Sequence, residues 1–295
     1  MSTVRMLFAA SRPLSWINTA YPFALVLWLL TRQVDATLVV GTLFFLIPYN
    51  LAMYGINDVF DHESDLLNPR KGGVEGALVP RRQHHTVLIA VVVTTVPWAV
   101  ALAVLAGPAA AVVLAVVLFA VVAYSAPHLR FKEIPFLDSA TSATHFVGPA
   151  LVGLAAAAPS TSTPLASREV VAPLVAFFLW GMASQAFGAV QDVIPDREAG
   201  LGSVATQIGA RATVRVAAAG YTLAALLLLL AGGAARWVAP LCLVYAVSVL
   251  PWWNVTDEDS AAAHAGWVRF LWLNYVVGFL VTLVVIAAVN GYLPT

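Results

Sequence analysis

The chain has 295 residues, of which 61% are hydrophobic and only 10% charged, and its formal net charge is +0. A mean hydropathy of +0.86 with so few charges lies far outside the soluble range, where about a quarter of residues are charged, so the composition excludes an ordinary soluble domain and reads as an integral membrane protein. Charge neutrality also removes the basic surface that a nucleic-acid partner would need.

A helix needs about 20 mostly apolar residues to cross the hydrocarbon core. Windows of that kind predict about nine helices, beginning near Leu14, Thr37, Thr86, Ala109, Asp138, Val170, Ala212, Trp237 and Trp267. The expected fold is therefore all-α, a polytopic bundle forming a single domain over residues 1–295. The first apolar segment carries Pro13, Trp16 and Asn18 and is as long as the later ones, so a cleavable leader is not expected. Nine crossings place the termini on opposite sides. Arg5, Arg12, Arg70, Lys71, Arg81, Arg82, Arg130, Lys132, Arg197, Arg211, Arg215 and Arg269 then share one side, against Arg32, Arg168 and Arg236 on the other. Excess Lys and Arg mark the cytoplasmic face.

The exterior connections read as tight breaks at Gly107-Pro108 and Gly232-Gly233, with a longer small-residue loop around Pro159 to Pro164. The cytoplasmic connections are longer and carry most of the polar residues: Asp58 to Arg82, Ser125 to Leu137, Asp192 to Arg211 and Pro251 to Gly266. Cys242 falls in mid-membrane, where it reads as a small buried hydrophobe.

The run Asn57-Asp58-Val-Phe-Asp61-His-Glu-Ser-Asp65 follows an apolar segment directly. Ionisable groups at such a place are expensive and by default functional. Spacings of three and four residues stack Asp58, Asp61 and Asp65 on one helix face beside Asn57. A shorter copy, Gln191-Asp192-Val-Ile-Pro-Asp196, follows the sixth predicted helix, and the matching positions hint at a parallel internal repeat. The acidic residues Asp257, Glu258 and Asp259 break that symmetry further on. Magnesium takes oxygen ligands, usually one or two carboxylates plus substrate phosphates, so two acidic patches suggest two metals on one diphosphate. Metals together with Arg and Lys stabilise the charge that develops when an allylic diphosphate departs; Arg70, Lys71, Arg130, Lys132 and Arg197 lie close in sequence for that task. The bland alternative is a solvated interfacial loop, which two acidic clusters at matching helix ends disfavour.

Tyr124 either reaches into a polar site or joins the interfacial aromatic belt. Asp138 reads more simply as a cap of the fifth predicted helix than as a ligand, and His145 as either a satisfied core group or a cavity residue. His84 and His85 lack partners at metal-ligand spacing. Trp252, Trp253, Trp267 and Trp272 read most simply as an interfacial belt. Lys71-Gly-Gly-Val-Glu-Gly76 does not match a nucleotide-binding loop.

The motifs at Asn57 to Asp65 and at Asp192 and Asp196, with the segment Tyr124-Ser-Ala-Pro-His-Leu-Arg-Phe-Lys132, resemble those of the UbiA superfamily of intramembrane prenyltransferases over nearly the whole chain. Ser11 to Pro22, Ile47 to Asn50, Asn68 to Ala77 and Ser142 to Phe146 narrow the likeness to the actinobacterial lycopene elongases. The resemblance implies a lipid-open cavity under a cytoplasmic cap, in a multi-pass protein of the cell membrane. It implies Mg2+ on Asp58, Asp61, Asp65, Asp192 and Asp196, the first two and last two catalytic. Asn57, Arg70, Lys71, Tyr124, Arg130, Lys132 and Arg197 would hold the diphosphate. Many aromatic prenyltransferases of the superfamily carry a basic residue four after the tyrosine; here that position is His128, and the role passes to Arg130 or Lys132. The implied donor is dimethylallyl diphosphate and the implied acceptor lycopene or a related polyene entering from membrane lipid, with Trp16, Asn18, Tyr54, His145 and Phe146 as cavity lining and a carotenoid cyclase as a partner. Rival expectations are a quinone-precursor, tetrapyrrole or glycerol-lipid acceptor, a transporter or channel, and a structural subunit of a carotenoid complex.

Overall fold

Apolar sequence sets how long the helices run, and proline or glycine sets where they stop. The computed structural model describes residues 2–67 and 78–293, which are helix and loop with no strand among them. The chain divides into two units, residues 1–131 with 144–163, and residues 132–143 with 164–295.

The first unit holds α1 (Thr3–Ala10), α2 (Trp16–Thr31), α3 (Ala36–Leu46), α4 (Pro48–Phe60), α5 (His62–Leu67), α6 (His84–Ser125) and most of α7 (Leu137–Ala157). Asp35 starts α3 by accepting the Leu38 N–H at 2.9 Å, as a good N-cap does. Pro48 has no N–H to continue the ladder, so α3 stops and α4 begins. Within a membrane the carbonyls freed by such a break need partners inside the protein. Thr19 donates to the Phe45 carbonyl at 2.7 Å, and the fully buried Asn50 amide donates to the Phe45 and Leu46 carbonyls at 2.8 and 3.1 Å. Gly107, with φ 85° and ψ 174°, divides α6 at the expected break into 84–106 and 108–125. Phe23, Phe44, Phe45 and Tyr49 are fully buried. The α7 backbone comes so close to α6 that a Cβ on Gly148 would lie 2.6 Å from Val117, the kind of close helix crossing that small residues allow in membranes.

The second unit holds α8 (Arg168–Val190), α9 (Val193–Glu198), α10 (Val204–Ile208), α11 (Ala210–Ala231), α12 (Ala239–Ser248) and α13 (His264–Val289). Gly232 and Gly233, at φ 78° and 50°, end α11 where the tight break was expected. The core is aromatic: Tyr221 stacks on Tyr245 at 5.5 Å, Trp180 on Phe270 at 5.9 Å, and Trp267 on Phe270 at 5.0 Å. Of the four tryptophans expected in an interfacial belt, Trp267 and Trp252 are half-buried and pack one face against this core, Trp267 on Phe270 and over Gly188, Trp252 against Phe187. Trp272 points outward, 69% exposed. Cys242 is buried, its thiol directed to the Tyr221 carbonyl.

Eight helical stretches among the described residues are long and apolar enough to cross a membrane, and the one at Arg81–Ser125 is divided at Gly107. The count of about nine expected from hydropathy follows. Large apolar side chains such as Val104, Leu230 and Phe279 are exposed along these helices, as lipid-facing surfaces are.

Candidate active site

The first acidic motif does not lie on one straight helix. α4 ends at Phe60, Asp61 leaves the helical region at φ −99° and ψ 2°, and α5 resumes at His62. Backbone bonds from Asp61 N–H to the Asn57 carbonyl and from Asp65 N–H to the Asp61 carbonyl, at 2.9 and 2.8 Å, carry the chain through the bend. Asp58, Asp61 and Asp65 all remain buried there, at 1%, 3% and 7% exposure.

Cations meet these carboxylates from distant parts of the unit. Arg12 donates to Asp58 Oδ1 at 3.0 Å, with its guanidinium 4.2 Å over the Tyr54 ring. Arg130 Nη2 lies 3.7 Å from Asp61 Oδ1. Both arginines have left-handed backbones, φ 48° and 40°, a conformation that costs a non-glycine residue about 1–2 kcal/mol and is kept only where surrounding contacts enforce it. The Asn57 amide donates to Ser125 Oγ at 2.9 Å and makes a short bond to Asp61 Oδ2. The half-buried Tyr124 turns its ring to His145 in a T-shaped contact at 5.1 Å. His145 is 3% exposed, and Tyr49 donates to its carbonyl at 3.1 Å. Trp16 donates its indole N–H to the Ser11 carbonyl at 3.0 Å, fixing the turn that presents Arg12. Asn18, Tyr54 and Phe146 are half-buried.

In the second unit, Asp192 precedes α9 and its carbonyl accepts the Asp196 N–H at 2.9 Å; both side chains are half-buried. Gln191 donates to the Gly188 carbonyl at 3.0 Å, and its Oε1 lies 2.7 Å from His264 Nδ1. Arg197 donates to Asp257 at 2.6 Å and to the Thr206 carbonyl at 3.0 Å, so a diphosphate would have to draw it away from these bonds. Asp257 also accepts the Ala210 N–H at 2.7 Å. That backbone bond first, and Arg197 second, hold its carboxyl below the usual range. Asp138 meets backbone N–H groups at the start of its own helix, at Phe136 and Ser139, as the capping reading expected, and also accepts the Val204 N–H of α10 at 3.1 Å. Lys132 is half-buried. Arg70 and Lys71 lie outside the described residues.

Three contacts were not legible beforehand. Arg12 entered the sequence only as one of many basic residues on one side, Ser125 as a neighbour of Tyr124, and His264 not at all. Each meets its partner across a long stretch of chain, from Arg12 to Asp58, Asn57 to Ser125 and Gln191 to His264, and no local pattern announces such a meeting.

No three Asp, Glu, His or Cys side chains converge on a ready metal cage among the described residues. Magnesium does not require one, because one or two carboxylates with water and substrate phosphates complete its shell. Buried carboxylates at a helix end, with arginines beside them, are a donor set that fits it.

A model of the UbiA prenyltransferase family matches residues 19–274. Lycopene elongase/hydratase of Corynebacterium glutamicum is 48% identical over 287 residues, 97% of this chain and 98% of that protein. The C(50) beta-cyclic carotenoids biosynthesis protein LbtBC of Dietzia sp. (strain CQ4) is 54% identical over 288 residues, 96% of this chain and 65% of that protein. A UbiA homolog from Archaeoglobus fulgidus, solved bound to DMAPP and Mg2+, has the same fold with a TM-score of 0.66 and 18% identity, covering 92% of this chain and 98% of that one. With the family's pattern running through nearly all its spanning helices, this multi-pass membrane protein is a prenyltransferase and belongs to the UbiA prenyltransferase family.

Proposed function

We propose that the protein is a magnesium-dependent lycopene elongase that transfers dimethylallyl groups from dimethylallyl diphosphate to the ends of lycopene or a related polyene. The observation that carries the reading is the full-length likeness to a lycopene elongase/hydratase together with buried carboxylates that arginines already neutralise. The chain acts as one domain, with the acidic motifs facing the cytoplasm as the Lys and Arg distribution argues.

A hydrocarbon acceptor has no acidic proton to lose before attack, so the donor must ionise first. Bound magnesium would neutralise the diphosphate as its C–O bond breaks. Asp58, Asp61 and Asp65 are assigned as its ligands or their immediate supports; Asp192 and Asp196 receive the same task on sequence grounds alone. Asn57, fixed by Ser125 and Asp61, is assigned to the metal through its amide carbonyl or to the diphosphate through its amide N–H. Arg12 and Arg130 already face Asp58 and Asp61, so a cation that took over those carboxylates would release both guanidiniums to the diphosphate. Arg70, Lys71, Lys132 and Arg197 complete the assigned basic set. Trp16, Asn18, Tyr54, His145 and Phe146 are assigned to the acceptor, where aromatic faces stabilise passing cations.

Acceptors such as a phenol, a carboxylate or a phosphate ester would need further polar groups within the membrane, and the sequence offers few. A transporter is disfavoured by membership of an enzyme family, and a cyclase partner stays an expectation. The test is mass analysis of pigments from a lycopene-producing bacterium expressing this chain beside Asp58→Ala and Asp192→Ala controls. New carotenoids heavier by one and two five-carbon units, absent from both controls, are expected; full activity in either variant overturns the metal assignment.

A further inference from the structure

The proposed reaction leaves one proton without an acceptor, and the first unit contains a buried base that binding of the diphosphate does not use. Transfer breaks the allylic C–O bond with its electron pair on the diphosphate, and the π electrons of the polyene's terminal double bond form the new C–C bond. A tertiary cation remains on the adjacent polyene carbon. It becomes an alkene when a neighbouring C–H bond gives its electron pair to the new double bond and its proton to a base.

His145 is 3% exposed, and the Ala120 carbonyl accepts a hydrogen bond from its ring. Nε2 is buried with no hydrogen-bond partner among the described residues, so the donor to Ala120 is Nδ1. In that tautomer Nε2 carries the lone pair. An orphaned buried acceptor is costly and calls for an explanation. The position supplies one. The His145 ring touches Tyr124; the next residue in the chain, Ser125, accepts from Asn57, which bonds Asp61. The imidazole is thus linked to the polar cluster at the acidic motif through Tyr124, the residue before Ser125. It also lies eight residues along α7 from Leu137, about 12 Å deeper by helical rise. A cation formed on an apolar acceptor belongs on that deeper, apolar side of a diphosphate held at the helix ends.

We propose that Nε2 of His145 takes the proton released when the elongated polyene cation collapses to an alkene. The imidazolium returns that proton to solvent before the next turnover. This assignment rests on the function proposed above and adds to it the residue that ends the reaction.

The test uses membranes containing the full chain, supplied with dimethylallyl diphosphate and lycopene. Diphosphate release, carotenoid mass and the position of the new double bond are measured for wild type, His145→Phe and His145→Gln. The glutamine amide can still donate to Ala120 but takes up no proton, so it separates catalysis from packing if the phenylalanine variant fails to fold. The expected result, normalised to the diphosphate each variant releases, is a fall of about tenfold or more in the wild-type alkene isomer, the low end of what a positioned base contributes. Other alkene isomers, or a product heavier by one water, should take its place. An unchanged product in His145→Gln overturns this assignment alone. A wild-type product that carries water at the cationic carbon also overturns it. Absence of any elongated carotenoid from wild type overturns it together with the proposed function.

Discussion

Replacing Arg12 by Gln should be among the most destabilising single changes in the first unit. The Asp58 side chain is 0% exposed and that of Arg12 18%, with 3.0 Å between the charged atoms. At that distance and an effective dielectric constant of about 20, the attraction is about 5 kcal/mol before desolvation. Removing one partner strands a buried charge, which costs about 3–5 kcal/mol, and the stacking of Arg12 on Tyr54 adds about 1 kcal/mol. Equilibrium unfolding in mixed detergent micelles without magnesium should therefore place Arg12→Gln about 3–5 kcal/mol below wild type. The double variant Arg12→Gln/Asp58→Asn should recover part of the loss, with a coupling energy of about 2 kcal/mol or more, as contacting residues give. Because magnesium would supply the same positive charge to Asp58, adding Mg2+ and donor should shrink the Arg12→Gln deficit. A deficit below about 1 kcal/mol, the value of an exposed pair, or an additive cycle, would refute the claim that this pair is a buried, coupled unit.

Asp257→Ala removes the acceptor of the Ala210 N–H at the start of α11 and should cost about 1 kcal/mol, read by thermal unfolding. Since Ala210 and Arg197 hold the Asp257 carboxyl below its ordinary range, its contribution is complete above the unfolded carboxylate pKa and fades as pH falls through the lower folded value. Asp257→Asn should accordingly flatten the stability profile below about pH 5. Gly148→Ala places a Cβ 2.6 Å from Val117 and should cost about 1–3 kcal/mol as overpacking, with Val117→Ala restoring part of it in the same unfolding assay. Tyr49→Phe deletes the hydroxyl that donates to the His145 carbonyl and should lower stability by about 1 kcal/mol, leaving the spanning helices inserted.

What could be read from sequence was whatever depends on neighbours in the chain. Apolar windows gave helix positions close to those found, because the hydrocarbon core imposes a length on any segment that crosses it. The breaks at Gly107 and Gly232-Gly233 were visible because backbone conformation there is a property of the residue itself. The acidic motif was visible because carboxylates at a membrane helix end stand out against an apolar sequence. The bend at Asp61 was not, since three-and-four spacing describes an ideal helix and says nothing about where one ends. Partners were decided only in the tertiary structure: Arg12 on Asp58, Ser125 on Asn57, Arg197 committed to Asp257, Asp138 reaching the Val204 N–H, and Trp267 laid over Gly188. Each of these joins residues far apart in the chain, and a buried charge or amide takes the partner that packing brings within reach, whatever lies nearest in sequence.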